Sequence, residues 1–146
     1  MSAEDEKLNL SEPVLHNLEE IQADWLLEEL VDITNGTENE IGLTLNIGGI
    51  LLTGTLISGH KYFEWFANTI GSGSEETTKY FKSFGEVYLK KKDNKSKPPA
   101  LIHIKDAKFY QPGGNISIPA VDGSYWRGRI TVVDGFILGK LHTGKN

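Results

Sequence analysis

The chain has 146 residues, a formal net charge of −5 and no cysteine, which is the size of one ordinary domain. The lack of thiols excludes a disulfide scaffold, thiol catalysis and thiolate metal sites. No apolar run approaches the roughly 18 residues of a membrane span, and the acidic start MSAEDEK is unlike a signal or transit peptide. We therefore expect a cytoplasmic protein with no membrane partner.

The charges are distributed unevenly along the chain. Residues 1–60 carry twelve acidic side chains and one lysine, a net charge of −11, whereas residues 61–146 carry fourteen basic and eight acidic side chains, a net charge of +6. The two halves could attract each other within one molecule or between copies. They could also simply keep separate faces of the protein hydrated. The sequence alone leaves these interpretations open.

The N-terminal region predicts an acidic tail followed by a helix. Residues 1–10 are polar and have no hydrophobic period, so we expect them to be disordered. Ser11 and Pro13 suit the cap and first turn of a helix, which Asn35-Gly36 would end. Its apolar stripe begins with Val14, Leu18, Ile21 and Trp25, and its acidic side chains include Glu19, Glu20, Asp24 and Glu28. We expect residues 11–146 to form a single domain.

Residues 41–57 predict a β-hairpin, because Gly48-Gly49 is a strong two-residue turn signal between two apolar runs. The predicted pairs are Ile47 with Ile50, Leu45 with Leu52, Leu43 with Gly54 and Ile41 with Leu56 on one face, and Asn46 with Leu51 and Thr44 with Thr53 on the other. We expect the first face to be core and the second to be half exposed. A glycine opposite Leu43 allows a sharp bend, as in a curved sheet or small barrel.

The middle of the chain predicts a helical insertion between strands 2 and 3, over about residues 60–89. GSGS at 71–74 interrupts it, and Ser74 is a cap for a second helix. Residues 90–99 contain five lysines and little to bury, so they predict a solvated loop. Residues 100–110 alternate as a strand does, and ISIPAV at 116–121 predicts a short edge strand.

Asp134-Gly135 predicts a closing hairpin that pairs Arg129 with Lys140. Its opposite face, which includes Ile130 and Ile137, is predicted to be core. The outward face holds like charges beside apolar side chains, which is typical of a binding surface for an acidic and partly apolar partner. An alternative is that the acidic helix or residues 75–89 cover this face within the same molecule. The predicted partner-binding residues are Arg127, Arg129, Lys140, Phe136, Leu138, Lys90, Lys91 and Lys92 on the basic side, and Glu19, Glu20, Asp24 and Glu28 on the acidic side.

No pattern in the chain predicts catalysis. The four histidines, His16, His60, His103 and His142, are scattered, and none has metal-ligand spacing with another histidine or a carboxylate. Nucleophile-elbow, phosphate-loop, dinucleotide and zincin motifs are absent. We therefore expect a protein that is not an enzyme and needs neither a metal nor a cofactor.

The order of elements predicts an α+β fold. We expect an N-terminal helix followed by a strongly bent antiparallel sheet of about five strands, a small Sm-like barrel or half-barrel with its helical insertion. Sm-like proteins bind RNA through basic and aromatic groups, so RNA binding is the alternative function. The sequence pI of about 5.4 and the acidic leading helix argue against it, because both oppose phosphate binding.

Residues 40–142 resemble the gas vesicle accessory protein U family. The resemblance rests on the strand–Gly54–strand segment followed by Tyr62-Phe63-Glu64, and on Trp126-Arg127-Gly128 leading to Asp134-Gly135-Phe136 and Leu138-Gly139-Lys140. It implies a small, soluble, cytoplasmic and non-catalytic protein that accompanies gas vesicle shell proteins without forming the shell. The acidic N-terminal extension and the lysine-rich loop have no counterpart in this resemblance.

The resemblance and the charge pattern together give a functional hypothesis. We expect the chain to bind the vesicle shell or other vesicle proteins, or to self-associate as a homo-oligomer, and so to influence vesicle assembly or clustering. In the charge-driven version, the acidic helix of one copy meets the basic residues of the next. Such contacts weaken with salt, and a head-to-tail contact that does not close gives open assemblies.

Overall fold

A computed structural model describes residues 22–89, 97–111, 113, 117–118 and 123–141. Its elements in chain order are α1 (Trp25–Thr37), β1 (Ile41–Ile47), β2 (Ile50–Ile57), α2 (Gly59–Ile70), α3 (Glu75–Ser83), a 3₁₀ segment (Phe84–Leu89), β3 (Leu101–Tyr110), β4 (Ser117–Ile118), β5 (Ser124–Arg129), a 3₁₀ turn (Ile130–Val132) and β6 (Gly135–Leu138). The predicted tail, the predicted helix start at Ser11 and most of the lysine-rich loop lie outside the described residues. Residues 22–24 are not helical and the described helix begins at Trp25, so the predicted run from Ser11 to Asn35 is not one unbroken helix.

The side chain of Asp24 caps the start of helix α1, and one face of the helix is buried. The Asp24 carboxylate accepts a hydrogen bond from the Leu26 N–H at 2.9 Å, which satisfies one of the unpaired donors of the first turn. Leu27, Val31 and Thr34, spaced four and three residues apart, form the buried stripe. The helix ends at Glu38, whose φ of 59° is left-handed, so it runs slightly beyond the predicted end.

Strands β1 and β2 pair in the predicted register, from Ile47 opposite Ile50 to Ile41 opposite Leu56. Gly48 and Gly49 have φ values of 58° and 86°, which a two-residue turn of this kind requires and which glycine adopts without strain. The local turn chemistry therefore sets the pairing of the whole hairpin.

The second face of this hairpin is less exposed than predicted. Thr44 and Thr53 are only 3 % and 4 % exposed, and their hydroxyl oxygens lie 3.0 Å apart. The C-terminal residues cover them: Thr44 Oγ1 lies 2.9 Å from the Gly139 carbonyl oxygen, and the Leu141 N–H donates to Thr53 Oγ1 at 2.8 Å. The buried hydroxyls are thus hydrogen-bonded, as buried polar groups must be to avoid a desolvation cost.

Gly54 marks a bend in the sheet. The register between β2 and β3 shifts between Thr53 and Thr55, which is a bulge that increases local bending. A Cβ atom at Gly54 would lie 2.5 Å from Ile104 Cγ2 and 2.8 Å from the Lys105 carbonyl oxygen. Glycine is therefore needed at this position, because a larger side chain would clash with β3.

The sheet has the order β4-β3-β2-β1-β6, and β5 pairs with β3 beside β4. Strands β5 and β6 consequently lie at opposite edges of an antiparallel sheet. Only the short 3₁₀ turn and two further residues connect them, and three residues of 3₁₀ helix span about 6 Å. No ladder joins β5 to β6 in the described part of the chain, so the sheet is not closed.

The predicted closing hairpin is wrong. Arg129 pairs with Leu101 of β3, and Phe136 pairs with Leu45 of β1, so Arg129 does not face Lys140. The Asp134 carboxylate accepts the Gly48 N–H at 2.7 Å and so stabilises the first turn instead of its own. The face of this hairpin that was predicted to be core is buried only in part, because Ile130 is buried whereas Ile137 is exposed.

Two groups of buried side chains hold the fold together. Aliphatic residues fill the space between α1 and the sheet: Leu27, Val31, Leu43, Leu45, Leu52, Leu56, Ile102, Ile104, Ala107, Ile130 and Val133. A second, aromatic group lies beneath the helical insertion and contains Ile57, Tyr62 and Phe63, with Trp65, Phe66, Tyr88 and Tyr125 partly buried against it. We call this second group the aromatic cluster.

The helical insertion follows its predicted boundaries. Ser58 caps α2 through the Lys61 N–H, and Ser74 caps α3 through the Thr77 N–H, as predicted for Ser74. In the ranges that the structure describes, no helix is both long enough and apolar enough to cross a membrane.

Candidate interaction surfaces

His103 of β3 lies at the centre of the aromatic cluster and is 1 % exposed. Its ring centroid is 4.8 Å from that of Tyr62 and 5.4 Å from that of Tyr88, and neither ring nitrogen has a hydrogen-bond partner. Burial and, as the smaller cause, the positive charge of Arg127 lower the pKa of His103 to about 3. The imidazole is therefore neutral and packs as part of an apolar surface.

Arg127 is held against the helical insertion. It stands opposite His103 in the β3–β5 ladder, and its guanidinium carbon lies 5.3 Å from the centroid of the Phe63 ring, within the range of a cation–π contact. Phe63 belongs to α2. The contact to this exposed arginine within the same molecule thus comes from α2, whereas the alternative from the sequence named the acidic helix or residues 75–89 as the cover.

Glu40 lies between two lysines. Its carboxylate oxygens are 2.7 Å from Lys105 Nζ and 3.2 Å from Lys61 Nζ, and Lys61 Nζ also donates to the Glu38 carbonyl oxygen at 2.7 Å. The hydrogen bond from Lys105 lowers the pKa of Glu40, and the same bond raises the pKa of Lys105. Part of the charge asymmetry between the two halves of the chain is therefore satisfied within one molecule.

Glu38 joins the end of α1 to the start of α2. Its Oε1 atom lies 2.7 Å from His60 Nδ1 and accepts the Ser58 hydroxyl at 3.2 Å. The contact with His60 is the main reason that the pKa of Glu38 is lowered. The two elements are thus connected at this corner by polar contacts of partly exposed groups, which contribute little stability individually.

A groove of about 530 Å³ lies beside this charged corner. Its walls include Trp65 of α2 and Tyr125 of β5, whose rings are parallel within 6° and have centroids 4.2 Å apart. Buried Ile57 forms part of its floor, and Lys61 and Lys105 open onto it. Six of the nine residues that line the groove are polar or charged, so it is a polar groove with one aromatic wall.

Strand β6 is the last strand of the sheet and pairs with β1 on one side only. The described residues place no strand along its other side. Ile137 and Leu138 are 59 % and 66 % exposed, whereas Phe136 is half-buried and packs on the aliphatic core. β6 therefore combines a backbone edge with which no described strand pairs and two exposed aliphatic side chains.

The structure spreads the predicted partner-binding residues over several places. Arg127 and Arg129 lie on β5, whereas Phe136 and Leu138 lie on β6 at the opposite edge. Lys140 follows β6, with its Nζ 3.9 Å from the Asp106 carboxylate. Asp24 caps α1, and Glu28 is in the first turn of that helix. The remaining predicted residues, Glu19, Glu20, Lys90, Lys91 and Lys92, lie outside the described residues.

Sequence reasoning missed the residues of the groove. Lys61, Trp65 and Asn68 repeat at helical spacing on one face of α2, and this period was the only available signal. Glu40, Lys105 and Tyr125 reach the groove from three other segments, and no local pattern connects them. In the same described ranges, no group of three or more acidic and histidine side chains could hold a metal ion.

The described fold is an open antiparallel sheet with an N-terminal helix and a helical insertion between β2 and β3. A family model described as "Gas vesicle protein GvpU-like" matches residues 24–141. The chain belongs to this gas vesicle protein family, which confirms the resemblance noted in the sequence. Comparison with curated proteins and with solved structures gives no significant match.

Proposed function

We propose that this chain is a non-catalytic gas vesicle accessory protein that binds a vesicle shell protein or another vesicle protein through the free edge of β6. The observation that carries the proposal is the exposure of Ile137 and Leu138 on that edge strand. An unpaired strand edge presents N–H and C=O groups that a second strand can pair with, while its apolar side chains become buried. Family membership supports a vesicle protein as the partner.

Self-association is part of the proposal, because the same edge can pair with β6 of another copy. Pairing of two identical edges about a two-fold axis closes as a dimer, whereas contacts between an acidic and a basic surface are head-to-tail and stay open. The two modes respond differently to salt, since apolar and backbone contacts are screened far less than exposed charges. Salt therefore separates an edge-driven assembly from a charge-driven one.

Co-flotation with purified gas vesicles tests the proposal, because vesicles rise and unbound protein does not. We expect the protein to float at low and high salt, and the double variant Ile137→Lys with Leu138→Lys to stay below at both. Ile33→Lys is the matched control, since Ile33 is 50 % exposed on α1. If the protein stays below under every condition, or if the edge variant floats like the unchanged protein, shell binding through β6 is wrong.

The same assay separates the contribution of the basic residues. Arg129 and Lys140 are both exposed. If exposed charge contributes to binding, the double variant Arg129→Glu with Lys140→Glu should release the protein from vesicles at low salt. If exposed charge does not contribute, the variant should float like the unchanged protein. Arg127 is less suitable for this test, because it contacts Phe63. Sedimentation velocity of the same variants, without vesicles, measures self-association independently.

RNA binding, the alternative from the sequence, gains no support from the described lysines of the groove, because Lys61 and Lys105 already share a carboxylate. Retention of labelled oligo-U that falls with salt would support this alternative instead.

A further inference from the structure

Strand β5 pairs with β3 along one side, and no described strand pairs with its other side. The Ile130 N–H donates to the Ala100 carbonyl oxygen, which shows where the hydrogen-bonded pairs of this ladder fall, because bonded and non-bonded pairs alternate between antiparallel strands. Gly128 is then bonded to β3, whereas Arg127 and Arg129 occupy the non-bonded positions. The backbone N–H and C=O groups of both arginines therefore point away from β3, towards the open edge.

The same two arginines give this edge its charge. Both are exposed, and they lie on one face of β5, because side chains two positions apart in a strand point the same way. In the ranges that the structure describes, neither guanidinium forms an ion pair. The contact of Arg127 with the Phe63 ring fixes its position and leaves its charge in place. Two positive charges thus remain unpaired among the described residues at this edge.

The other face of β5 is apolar. The Trp126 ring lies over Gly128 and meets the Phe109 ring edge to face, with centroids 6.2 Å apart. Both rings are only partly buried against the aliphatic core, so some aromatic surface stays accessible beside the edge. A strand added to β5 would therefore meet two arginines on one face of the sheet and aromatic surface on the other.

The unpaired charges select the occupant of this edge. A second copy of β5 would bring arginines close to arginines, and like charges across a strand pair are destabilising, so the edge is protected against pairing with itself. β6 of a second copy carries no charged side chain and would leave both guanidinium groups unpaired. A strand with an acidic residue at every second position supplies a carboxylate for each arginine, and arginine binds carboxylates through two parallel hydrogen bonds.

We infer that the open edge of β5 binds an extended segment of another protein in which acidic and apolar residues alternate. The segment adds a strand to the sheet: its backbone bonds to Arg127 and Arg129, its carboxylates pair with their guanidinium groups, and its apolar side chains lie beside Trp126. The inference goes beyond the proposed function, because β5 and β6 lie at opposite edges of the sheet.

Fluorescence polarisation with a labelled, end-capped peptide of alternating glutamate and valine tests the inference. We expect it to bind the full chain at least about tenfold more tightly than a peptide of the same composition whose glutamates and valines are grouped in pairs, since only strict alternation places every carboxylate on one face of a strand. Equal binding of the alternating and paired peptides would overturn the inference, whatever the vesicle assay shows.

Matched variants identify the charges responsible. Arg127→Gln with Arg129→Gln should weaken binding of the alternating peptide at least about tenfold at low salt. Lys79→Gln with Lys82→Gln removes two exposed charges of α3 instead and should leave binding unchanged. An unaffected arginine variant, or an equal loss in the lysine control, contradicts the inference. Arginine-dependent binding of labelled oligo-U without binding of the peptide would also overturn it, and would assign the edge to nucleic acid.

Arg129→Pro tests the strand pairing itself. The φ of Arg129 is −81°, close to the value that proline fixes, and its N–H points away from β3, so the β3–β5 ladder can form without it. We expect Arg129→Pro to bind the alternating peptide several-fold more weakly than Arg129→Gln, because proline also removes the outward N–H. Equal binding by the two variants would mean that charge acts without strand pairing and would contradict the inference.

Hydrogen exchange on the unchanged protein avoids any folding defect of the variants. In the free chain, the amides of Arg127 and Arg129 should exchange faster than that of Gly128, which bonds to β3. The alternating peptide should slow exchange at both arginine amides and leave the amides of α3 unchanged. Peptide binding without protection of either arginine amide would place the peptide elsewhere and overturn the assignment to the β5 edge.

Discussion

The two buried groups on either side of the sheet differ in chemistry. The group under α1 is wholly aliphatic, with side chains such as Leu45 and Leu52 at 0 % exposure, whereas the aromatic cluster encloses an imidazole with no hydrogen-bond partner. Arg127 and the Glu38 and Glu40 corner lie beside this second group. The buried imidazole therefore makes the stability of the second side depend on pH.

Truncating the aliphatic side should have the largest effect. Leu52→Ala removes a fully buried side chain and leaves a cavity, so we expect the free energy of unfolding to fall by about 2–5 kcal/mol. Urea denaturation followed by circular dichroism measures the change. A loss below about 1 kcal/mol would mean that the aliphatic side does not contribute the stability that its packing indicates.

Gly54→Ala should destabilise the bend by about 1–3 kcal/mol, because the new methyl group would meet the Lys105 carbonyl oxygen and Ile104. Gly36→Ala is the matched control, since nothing lies within 4 Å of a Cβ at that helical position. The control should be neutral or stabilising by up to about 1 kcal/mol. Similar losses in both variants would contradict the close approach of β3.

Acid should weaken the aromatic side selectively. The folded pKa of His103 is about 3, below the unfolded value of about 6.5, so the unfolded state binds a proton first as the pH falls. Stability should be constant with respect to this group above about pH 6.5 and decrease below it, by up to about 1.4 kcal/mol per pH unit until about pH 3. His103→Phe should remove this slope, as measured by denaturation between pH 4 and 7.

The carboxylates provide the internal reference for that experiment. Glu38 and Glu40 have lowered pKa values, so their contribution is present above their unfolded pKa and is lost as the pH falls through the folded values. This loss remains in His103→Phe. If the variant and the unchanged protein show the same slope between pH 5 and 6.5, the imidazole is not buried in neutral form.

The smallest expected effect is the difference in stability between variants of the two exposed arginines of β5. Arg127→Ala removes a contact with the Phe63 ring and should cost about 0.5–1 kcal/mol, whereas Arg129→Ala should change stability by less than about 0.5 kcal/mol. Thermal denaturation of the two variants side by side gives the comparison. Equal effects would mean that the aromatic contact adds nothing to stability.

The sequence predicted what local chemistry determines. Gly48-Gly49 sets the first hairpin pair by pair, and the predicted cap at Ser74 sets the start of α3, because both signals act within a few residues. Asp134-Gly135 has the same local signal as the first turn, yet its carboxylate binds the distant Gly48 N–H. A contact across 86 positions overrides the turn, and no local pattern carries that information.

The candidate sites were likewise predictable from the sequence only in part. Arg127, Arg129, Phe136 and Leu138 could be identified as residues of two neighbouring strands, but their placement on one face required a hairpin that does not form. The groove depends on Glu40 meeting Lys61 and Lys105, three segments that are far apart in the chain. Which strands become neighbours is decided by burial of residues such as Ile130 and Val133, and only the folded chain shows it.

The short 3₁₀ turn between β5 and β6 has a dynamic consequence. Only five residues, the turn and the two that follow it, join the strands, and the turn is anchored by buried Ile130, whose N–H donates to the Ala100 carbonyl oxygen at 2.9 Å. We therefore expect the two edge strands to open as one cooperative unit. Hydrogen exchange should give the slowest amides of β5 and β6 a common opening free energy, so that ligand bound at one edge protects both.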